Sequence, residues 1–235
     1  MMEKISIGWQ SQPNKLNIQG TIEKAIESIV GHEVDLTASG RTDAGVHAIG
    51  QVANFKTNSE IPIEKFAIAI NSRLKKSIVI KNAEEVDEKF HSRLSCKQKT
   101  YRYIINNSKQ GTAIYRNLEY HISNELDIEK MQQAAKLFEG EHDFKAFKAS
   151  GTSSKNSVRT IYKAEVRKND DRIIIELTGS GFLYNMVRII SGTIVEVGMG
   201  KIEPEKISEI IKCGKREYAG KTLPAHGLYL VKVEY

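Results

Sequence analysis

The order in which helix-like and strand-like patterns follow one another is the feature that most restricts the fold of this chain. Residues 21–30 carry apolar side chains at helical spacing, and Gly31 follows as a typical helix end. Residues 34–38 and 51–55 alternate between apolar and polar side chains, as strands do. The glycine-bearing segment 39–50 lies between these two strands. The pattern predicts a helix followed by two strands that flank a functional loop.

The first half ends with a second helix and a short strand. Pro62 is placed where a helix would begin, and its apolar face is then formed by Ile63, Ala67, Ile70 and Leu74. Residues 77–80 are rich in β-branched side chains, which favours a strand. This half therefore mixes helices with short strands.

A second set of elements follows with a similar alternation. The predicted strands are residues 100–105, 158–166, 172–178 and 228–233. A turn at Asn169-Asp170-Asp171 joins the middle two, and Tyr101, Tyr103 and Ile105 share one strand face. The predicted helices are residues 127–138, capped by Asp127 and ended by Gly140, residues 182–197, and residues 205–211.

Together the patterns predict an α+β fold of two loosely similar halves with antiparallel or mixed sheets. The boundary is expected within residues 95–98. We therefore divide the chain into residues 1–97, which contain the glycine-bearing loop, and residues 98–235.

Composition restricts the class of protein further. The 235 residues are 40% apolar and 27% charged, as expected of a soluble globular chain, and the net charge of +6 favours a polyanionic partner. Cys96 and Cys213 are far apart and have no metal-ligand spacing, so we predict reduced thiols and no metal site. No segment has the length and apolarity of a membrane span or a signal peptide. These features indicate a cytoplasmic protein with no membrane partner.

The strongest local signal is the segment Gly40-Arg41-Thr42-Asp43-Ala44-Gly45-Val46-His47-Ala48. Two glycines allow a tight turn and close approach of a ligand, and Arg41 would favour the ionised form of Asp43. An ionised carboxylate held on a loop is suited to nucleophilic attack. The alternative is an Asx-type turn with a surface ion pair.

This segment resembles the signature of the tRNA pseudouridine synthase A family. Other segments resemble that family in the same order, and together they span the chain from Gly8 onward. They are Gly8-Trp9-Gln10-Ser11-Gln12, Phe90-His91-Ser92-Arg93, Lys99-Thr100-Tyr101-Arg102-Tyr103 and Gly181-Phe182-Leu183-Tyr184-Asn185-Met186-Val187-Arg188.

The resemblance implies the pseudouridine synthase fold, with the two halves joined around a central cleft. It also implies a homodimer that isomerises uridine at positions 38, 39 and 40 of the tRNA anticodon stem-loop without a cofactor. Asp43 matches the family's catalytic aspartate, and Arg41 matches a residue that holds the target nucleotide out of its stack. The alternative role for Arg41 is that of a partner for Asp43.

Two more catalytic residues are implied by the same resemblance. Tyr101 matches the active-site tyrosine, which can stack on uracil and take part in proton transfer at C5. Its alternative role is that of a strand aromatic facing the core. Arg188 matches a basic residue expected to pair with the catalytic aspartate, and its alternative is an exposed position on an amphipathic helix.

Substrate contacts are expected from residues around these groups. Leu183 is assigned to the pocket wall or to the core, and His47 to a substrate contact or a solvated loop. Lys99 belongs to a set of basic residues near tyrosines that would contact RNA phosphates or form a solvated face. The set comprises Lys97, Lys99, Arg102, Lys109 and Arg116, with Lys145, Lys148, Lys155 and Arg159 flanking the loop 149–157.

The chain departs from the family at its start. Met1-Met2-Glu3-Lys4-Ile5-Ser6-Ile7 precedes Gly8, and the family's Tyr-Asp-Gly-Thr turn is absent. Either the true start lies upstream of Met1 or the first strand is shortened. We expect weaker folding than in a relative that has this turn. A non-catalytic RNA-binding protein on the same scaffold is the alternative function. An N-glycosidase would require a water-activating acid, which the loop does not contain.

Overall fold

The computed structural model describes residues 8–9, 17–151 and 156–235. The chain divides into two compact units: Met1–Gly45 with Gln51–Cys96, and Val46–Gly50 with Lys97–Tyr235. The sequence-based division places residues 46–50 in the first half. They belong to the second unit because residues 47–48 form a strand beside the C-terminal strand, and the backbone N–H groups of residues 49 and 50 donate to Leu230 O. The expected stub of strand before Gly8, the segment Gln10-Ser11-Gln12 and Lys155 lie outside the described residues.

The helices are α1 (Ile18–Val30), α2 (Ile63–Asn71), α3 (Ile128–Lys136), α4 (Met186–Gly198) and α5 (Lys206–Cys213). The strands are β1 (Thr37–Ala38), β2 (His47–Ala48), β3 (Ala53–Asn54), β4 (Gln98–Asn106), β5 (Tyr120–His121), β6 (Gly140–Asp143), β7 (Val158–Asn169), β8 (Arg172–Gly179) and β9 (Leu228–Glu234). This mixture confirms the α+β class.

In the part of the first unit that the structure describes, two helices cover an apolar core beside a two-stranded sheet. The helix α1 begins three residues earlier than predicted because the Asn17 side chain accepts a hydrogen bond from Gly20 N at 2.7 Å. Gly31 ends α1 in the left-handed conformation, which confirms the predicted stop. The core is formed by Trp9, Ile22, Ala25, Ile26, Leu36, Phe66 and Ile70.

The strand predictions for this unit are confirmed only in part. β1 and β3 pair antiparallel over two residues each, at Thr37 with Asn54 and Ala38 with Ala53. The predicted strand at residues 77–80 is wrong. The Asn71 side chain occupies both backbone groups of Ile80, at 2.8 Å each, so this backbone is satisfied by an amide and not by a neighbouring strand.

The described residues of the second unit contain a seven-stranded mixed sheet in the order β2-β9-β4-β8-β7-β6, with β5 beside β4. The predicted hairpin of β7 and β8 is confirmed, and Asp170 adopts a positive φ of 51° in its turn. The buried face of the sheet carries Tyr103, Ile105, Ile173, Ile175 and Leu177. The helix α4 packs against β4, and α3 packs against both β7 and α4.

Two boundaries in this unit differ from the prediction. The helix α3 ends at Lys136, and Gly140 begins β6 with a φ of 107° where a helix end was predicted. The helix α4 starts at Met186 instead of residue 182, because Asn185 adopts the left-handed conformation with a φ of 58°. Strands β2, β5 and β6 were not predicted because segments this short show no clear alternation.

The helix α4 packs unusually closely against residues 219–223, which we call the strap. A Cβ atom added at Gly192 would overlap the backbone carbonyl of Lys221. A Cβ added at Gly220 would lie 2.7 Å from the Cα of Thr193. Only glycine at these two positions allows the strap to lie on the helix backbone.

We expect Gly192→Ala to lower the free energy of unfolding by about 2 kcal/mol, because overpacking against a backbone group exceeds the gain in helix propensity. Urea denaturation measures this difference. Gly181→Ala is the control, since the nearest atom that its Cβ would meet in the described ranges is Arg159 Nε at 3.8 Å. Equal stability of the two variants would contradict the close contact.

None of the helices in the described part of the chain is long and apolar enough to cross a membrane.

Candidate active site

The segment that carries Asp43 is closed at its base by a buried polar cluster in the first unit. Ser39 is fully buried; its N–H donates to Val52 O at 2.8 Å, and its hydroxyl donates to Gln51 Oε1 at 2.6 Å. The Gln51 amide then donates to Gly40 O at 2.9 Å. These bonds hold the two ends of the loop together with groups whose loss would leave buried donors unsatisfied.

The loop is also supported from the N-terminal side. Trp9 N donates to Thr42 O at 3.0 Å, and the Trp9 side chain is buried in the core. A Cβ at Gly8 would lie 2.7 Å from the same carbonyl, so this approach requires glycine. Gly45 turns the chain with a φ of 84°. The backbone on both sides of Asp43 is therefore fixed.

Within this loop Asp43 is half-buried and Arg41 is exposed. The two lie on one loop of the first unit, as the sequence indicates. Their catalytic and nucleotide-holding roles remain predictions.

The segment Phe90-His91-Ser92-Arg93 has a structural role that the sequence did not reveal. Ser92 is fully buried, donates its hydroxyl to Thr37 O at 2.7 Å, and donates its N–H to Asn54 Oδ1 at 2.8 Å. Its contacts therefore connect to both β1 and β3, which flank the Asp43 loop. The His91 ring accepts from Arg93 N at 3.1 Å and thereby holds the turn.

Tyr101 lies on β4 in the second unit and is 9% exposed. Its ring packs edge to face against Phe182, with 5.2 Å between the centroids. The Tyr101 side chain therefore faces the core. The stacking of Tyr101 on uracil remains a prediction.

Arg188 occupies the first turn of α4 and is half-buried, so the alternative of an exposed helix position is wrong. Its Nε donates to Leu223 O at 2.7 Å, and a terminal nitrogen donates to Asn185 Oδ1 at 2.7 Å. The left-handed conformation of Asn185 ends the preceding loop and places this acceptor. Pairing of Arg188 with Asp43 stays a prediction.

The strap holds Arg188 from the other side. Leu223 N donates back to Arg188 O at 3.3 Å. Thr193 Oγ accepts from Gly220 N at 2.9 Å, and Glu196 accepts from Lys221 N at 3.0 Å. Sequence reasoning missed Asn185, Thr193 and Leu223, and a cue was present only for Asn185, a short acceptor three residues before an arginine.

We expect Thr193→Val to lower the free energy of unfolding by about 1–3 kcal/mol, because Gly220 N is left buried without an acceptor. The same change should reduce kcat more than it changes KM, since it loosens the strap that orients Arg188. The control is Ser191→Ala on the same helix, because the buried Ser191 hydroxyl has no hydrogen-bond partner among the described residues and its removal should be nearly neutral. If Thr193→Val lost stability without any change in kcat, the strap would contribute to folding only and not to catalysis.

Tyr103 connects β4 to the residues after the strap. Its hydroxyl donates to Pro224 O at 2.7 Å, and Gly227 packs so closely that an added Cβ would lie 2.7 Å from the ring. Burial raises the pKa of Tyr103, while the charge of Arg188 opposes that shift, so the phenol stays protonated and remains a donor. The second unit thus brings Tyr103 and Arg188 together around residues 223–227.

His47 forms intramolecular contacts that neither sequence-based alternative anticipated. Its ring stacks on Tyr229 with 4.8 Å between centroids, and its Nε2 lies 3.0 Å from Asn117 O. Because a carbonyl accepts, the proton of this bond is on Nε2. These contacts stabilise the position of β2 beside Tyr229. Direct contact of His47 with substrate stays a prediction.

The remaining expected contacts differ in their surroundings. Leu183 is 6% exposed, so its side chain lies mainly in the protein interior. Lys99 is half-buried and precedes Tyr101 on the same face of β4. Arg102 lies on the opposite face and pairs with Glu176 at 2.8 Å. Its contact with RNA phosphate stays a prediction.

No group of three or more His, Cys, Asp or Glu side chains in the described ranges is arranged to hold a metal ion.

Comparison with known proteins agrees with the sequence signature. The family model described as tRNA pseudouridine synthase matches residues 7–94 and 134–235. The chain is 53% identical over 228 residues to the tRNA pseudouridine synthase A of Acetivibrio thermocellus, with 97% of this chain and 93% of that protein covered. It is 53% identical to the Ruminiclostridium cellulolyticum protein of that name, with 97% and 94% covered. The Caldicellulosiruptor bescii protein of that name is 51% identical, with 97% and 93% covered. The chain therefore belongs to the tRNA pseudouridine synthase family.

Proposed function

We propose that this protein converts uridine to pseudouridine in tRNA, with Asp43 as the nucleophile. The observation that carries the proposal is the Asp43 loop, held rigidly at Ser39, Gly40 and Thr42 in a chain of this family. Fixed geometry favours catalysis because the carboxylate need not be ordered when the substrate binds. The supports leave the Asp43 side chain half-buried, not enclosed in the core.

The proposed reaction is an isomerisation and requires no net addition of atoms. The bond between uracil N1 and ribose C1′ breaks, and a bond between C5 and C1′ forms after the base turns. C5 loses a proton, and N1 gains one. The Asp43 carboxylate adds covalently, to the sugar or to the base, and is released when the new bond has formed.

The groups of the second unit have complementary proposed roles. Tyr101 would stack on the displaced uracil, and its hydroxyl would take part in proton transfer at C5. Arg188 would hold the carboxylate in its ionised form by charge, with its guanidinium already oriented by Leu223 and Asn185. Arg41 would hold the nucleotide out of its stack.

We propose positions 38, 39 and 40 of the tRNA anticodon stem-loop as targets, a homodimer as the working form, and the cytoplasm as the location. The net charge of +6 is consistent with a polyanionic substrate.

The test is incubation of the purified protein with unmodified tRNA transcripts, followed by carbodiimide treatment and primer extension. We expect stops at positions 38, 39 and 40 and an unchanged RNA mass. Release of free uracil would instead identify an N-glycosidase. Binding of tRNA without any stop would support the alternative of a non-catalytic RNA-binding protein.

A further inference from the structure

Residues 107–119 leave the sheet after β4 and return to it at β5; we call them the β4–β5 loop. At its start, the Asn107 side chain donates to Ile122 O and Asn124 O at 2.8 Å each. At its end, the buried carboxylate of Glu119 accepts from Arg172 Nε at 2.6 Å and from the Asn106 amide at 3.3 Å. Both ends of the loop are therefore fixed to the sheet.

The last part of this loop is also held by the strands at the edge of the sheet. The Tyr229 hydroxyl donates to Leu118 O at 2.6 Å, and His47 stacks on Tyr229 while bonding to Asn117 O. The middle of the loop is exposed instead, with Ile114 at 77% and Tyr115 at 40%. The loop thus presents an exposed tip on a fixed base.

A cleft of about 480 Å³ lies between this loop, β5 and His226. This volume falls in the range of sites that bind small ligands, roughly 300–1,000 Å³. The lining includes Asn106, Gln110, Arg116, Tyr120, His121 and His226.

The chemistry of the lining suits an unstacked nucleotide. The Tyr120 and His226 rings meet at 70° with 6.1 Å between centroids, which gives two aromatic walls. Burial lowers the pKa of His226, and the charges of His47 and Arg188 lower it further, so the ring is neutral at pH 7. Neutral rings and the exposed Gln110 amide offer stacking and hydrogen bonds to a base.

The charges around the cleft favour a phosphate. Arg116 is exposed in the lining, and Lys221 Nζ lies 5.9 Å from the Tyr120 ring centroid. The one lining carboxylate described, that of Glu119, is paired with Arg172 and so repels a phosphate less. The cleft therefore combines a base-sized aromatic wall with available positive charge.

The cleft lies further along the strand that carries Tyr101. Ile105 on β4 is the register partner of Tyr120, and Gly227, the neighbour of His226, packs on Tyr103. The four residue-to-residue steps of strand from Tyr101 to Ile105 span about 13 Å. A short single-stranded segment of RNA can cover that distance.

We infer that this cleft binds one unpaired nucleotide of the RNA substrate other than the target uridine, with its base against Tyr120 and His226 and its phosphate near Arg116. The inference rests on the proposed function, since it assumes an RNA substrate.

The experiment uses anticodon stem-loop hairpins in which one loop nucleotide at a time lacks its base but keeps its phosphate. Affinities of the protein, residues 1–235, are measured by fluorescence anisotropy. For wild type we expect roughly 10-fold weaker binding at one non-target position, as for loss of a stacked base. Tyr120→Leu should bind the intact hairpin about 10-fold more weakly and show no further loss at that position.

A second variant tests the phosphate contact without disturbing the interior. Arg116→Gln changes an exposed side chain and should reduce the slope of log affinity against log salt by about one. Tyr162→Leu, an exposed tyrosine on β7, is the control for losing a tyrosine. Wild-type affinity of both cleft variants for every hairpin would overturn the inference.

The pseudouridine content of the same samples separates the two proposals. If pseudouridine forms but Tyr120→Leu is still weakened by removal of the same base as wild type, the proposed function stands and the inference about the cleft is overturned. If Tyr120→Leu no longer responds to removal of one base but no pseudouridine forms, the inference about the cleft is supported and the isomerase assignment is overturned.

Discussion

Asp43→Asn is expected to lower kcat for pseudouridine formation at least about a thousandfold, which corresponds to about 4 kcal/mol of transition-state stabilisation. An amide has the size and shape of the carboxylate, but it is a far weaker nucleophile and carries no charge. The backbone bonds at Gly40 and Thr42 do not involve the side chain of residue 43. The substituted loop should therefore keep its fold, and tRNA affinity should change little.

The measurement is single-turnover conversion of labelled tRNA, with the melting temperature recorded for each variant. Asp35→Asn is the matched control, because Asp35 is an exposed aspartate that precedes β1 in the same unit. It should retain wild-type rates. Residual activity of Asp43→Asn within tenfold of wild type would remove Asp43 from the nucleophile role and leave the loop as a binding element.

The long elements could be predicted from the sequence because their patterns repeat. The helix α3 and the β7–β8 hairpin show a helical or alternating pattern over eight or more residues. The two-residue strands β2 and β5 have no such pattern, and they form because neighbouring strands offer backbone partners. The false strand at residues 77–80 shows the reverse, since a side chain of Asn71 replaced the strand partner.

The residues of the candidate site also differ in how clearly the sequence reveals them. Asp43, Tyr101 and Arg188 stand out in sequence because they lie in recognisable segments. Their supports do not, because Ser39, Ser92 and Thr193 form hydrogen bonds with groups that are distant along the chain. A serine or threonine gives no sign in the sequence of which carbonyl or amide it will meet. Predicting such supports requires the register of the strands and the path of the strap.

Arg188→Lys is expected to lower kcat about a hundredfold, or roughly 3 kcal/mol, although the charge is conserved. The guanidinium of Arg188 donates in two directions, from Nε to Leu223 O and from a terminal nitrogen to Asn185 Oδ1. A lysine amine is a single point at the end of a flexible chain and cannot occupy both positions. The charge would remain but would lose its fixed orientation, which is the property that electrostatic catalysis requires.

Two further variants decide whether orientation or charge accounts for that loss. Asn185→Gly keeps the left-handed conformation and removes one acceptor, so kcat should fall less than in Arg188→Lys. Arg167→Lys changes an exposed arginine whose guanidinium lies 3.5 Å from Glu176, and it should leave kcat unchanged. If Arg188→Lys and Asn185→Gly both kept wild-type kcat while Arg188→Met lost it, charge alone would explain the role of Arg188. A graded loss across these variants would instead show that the strap and Asn185 contribute to catalysis by fixing the guanidinium.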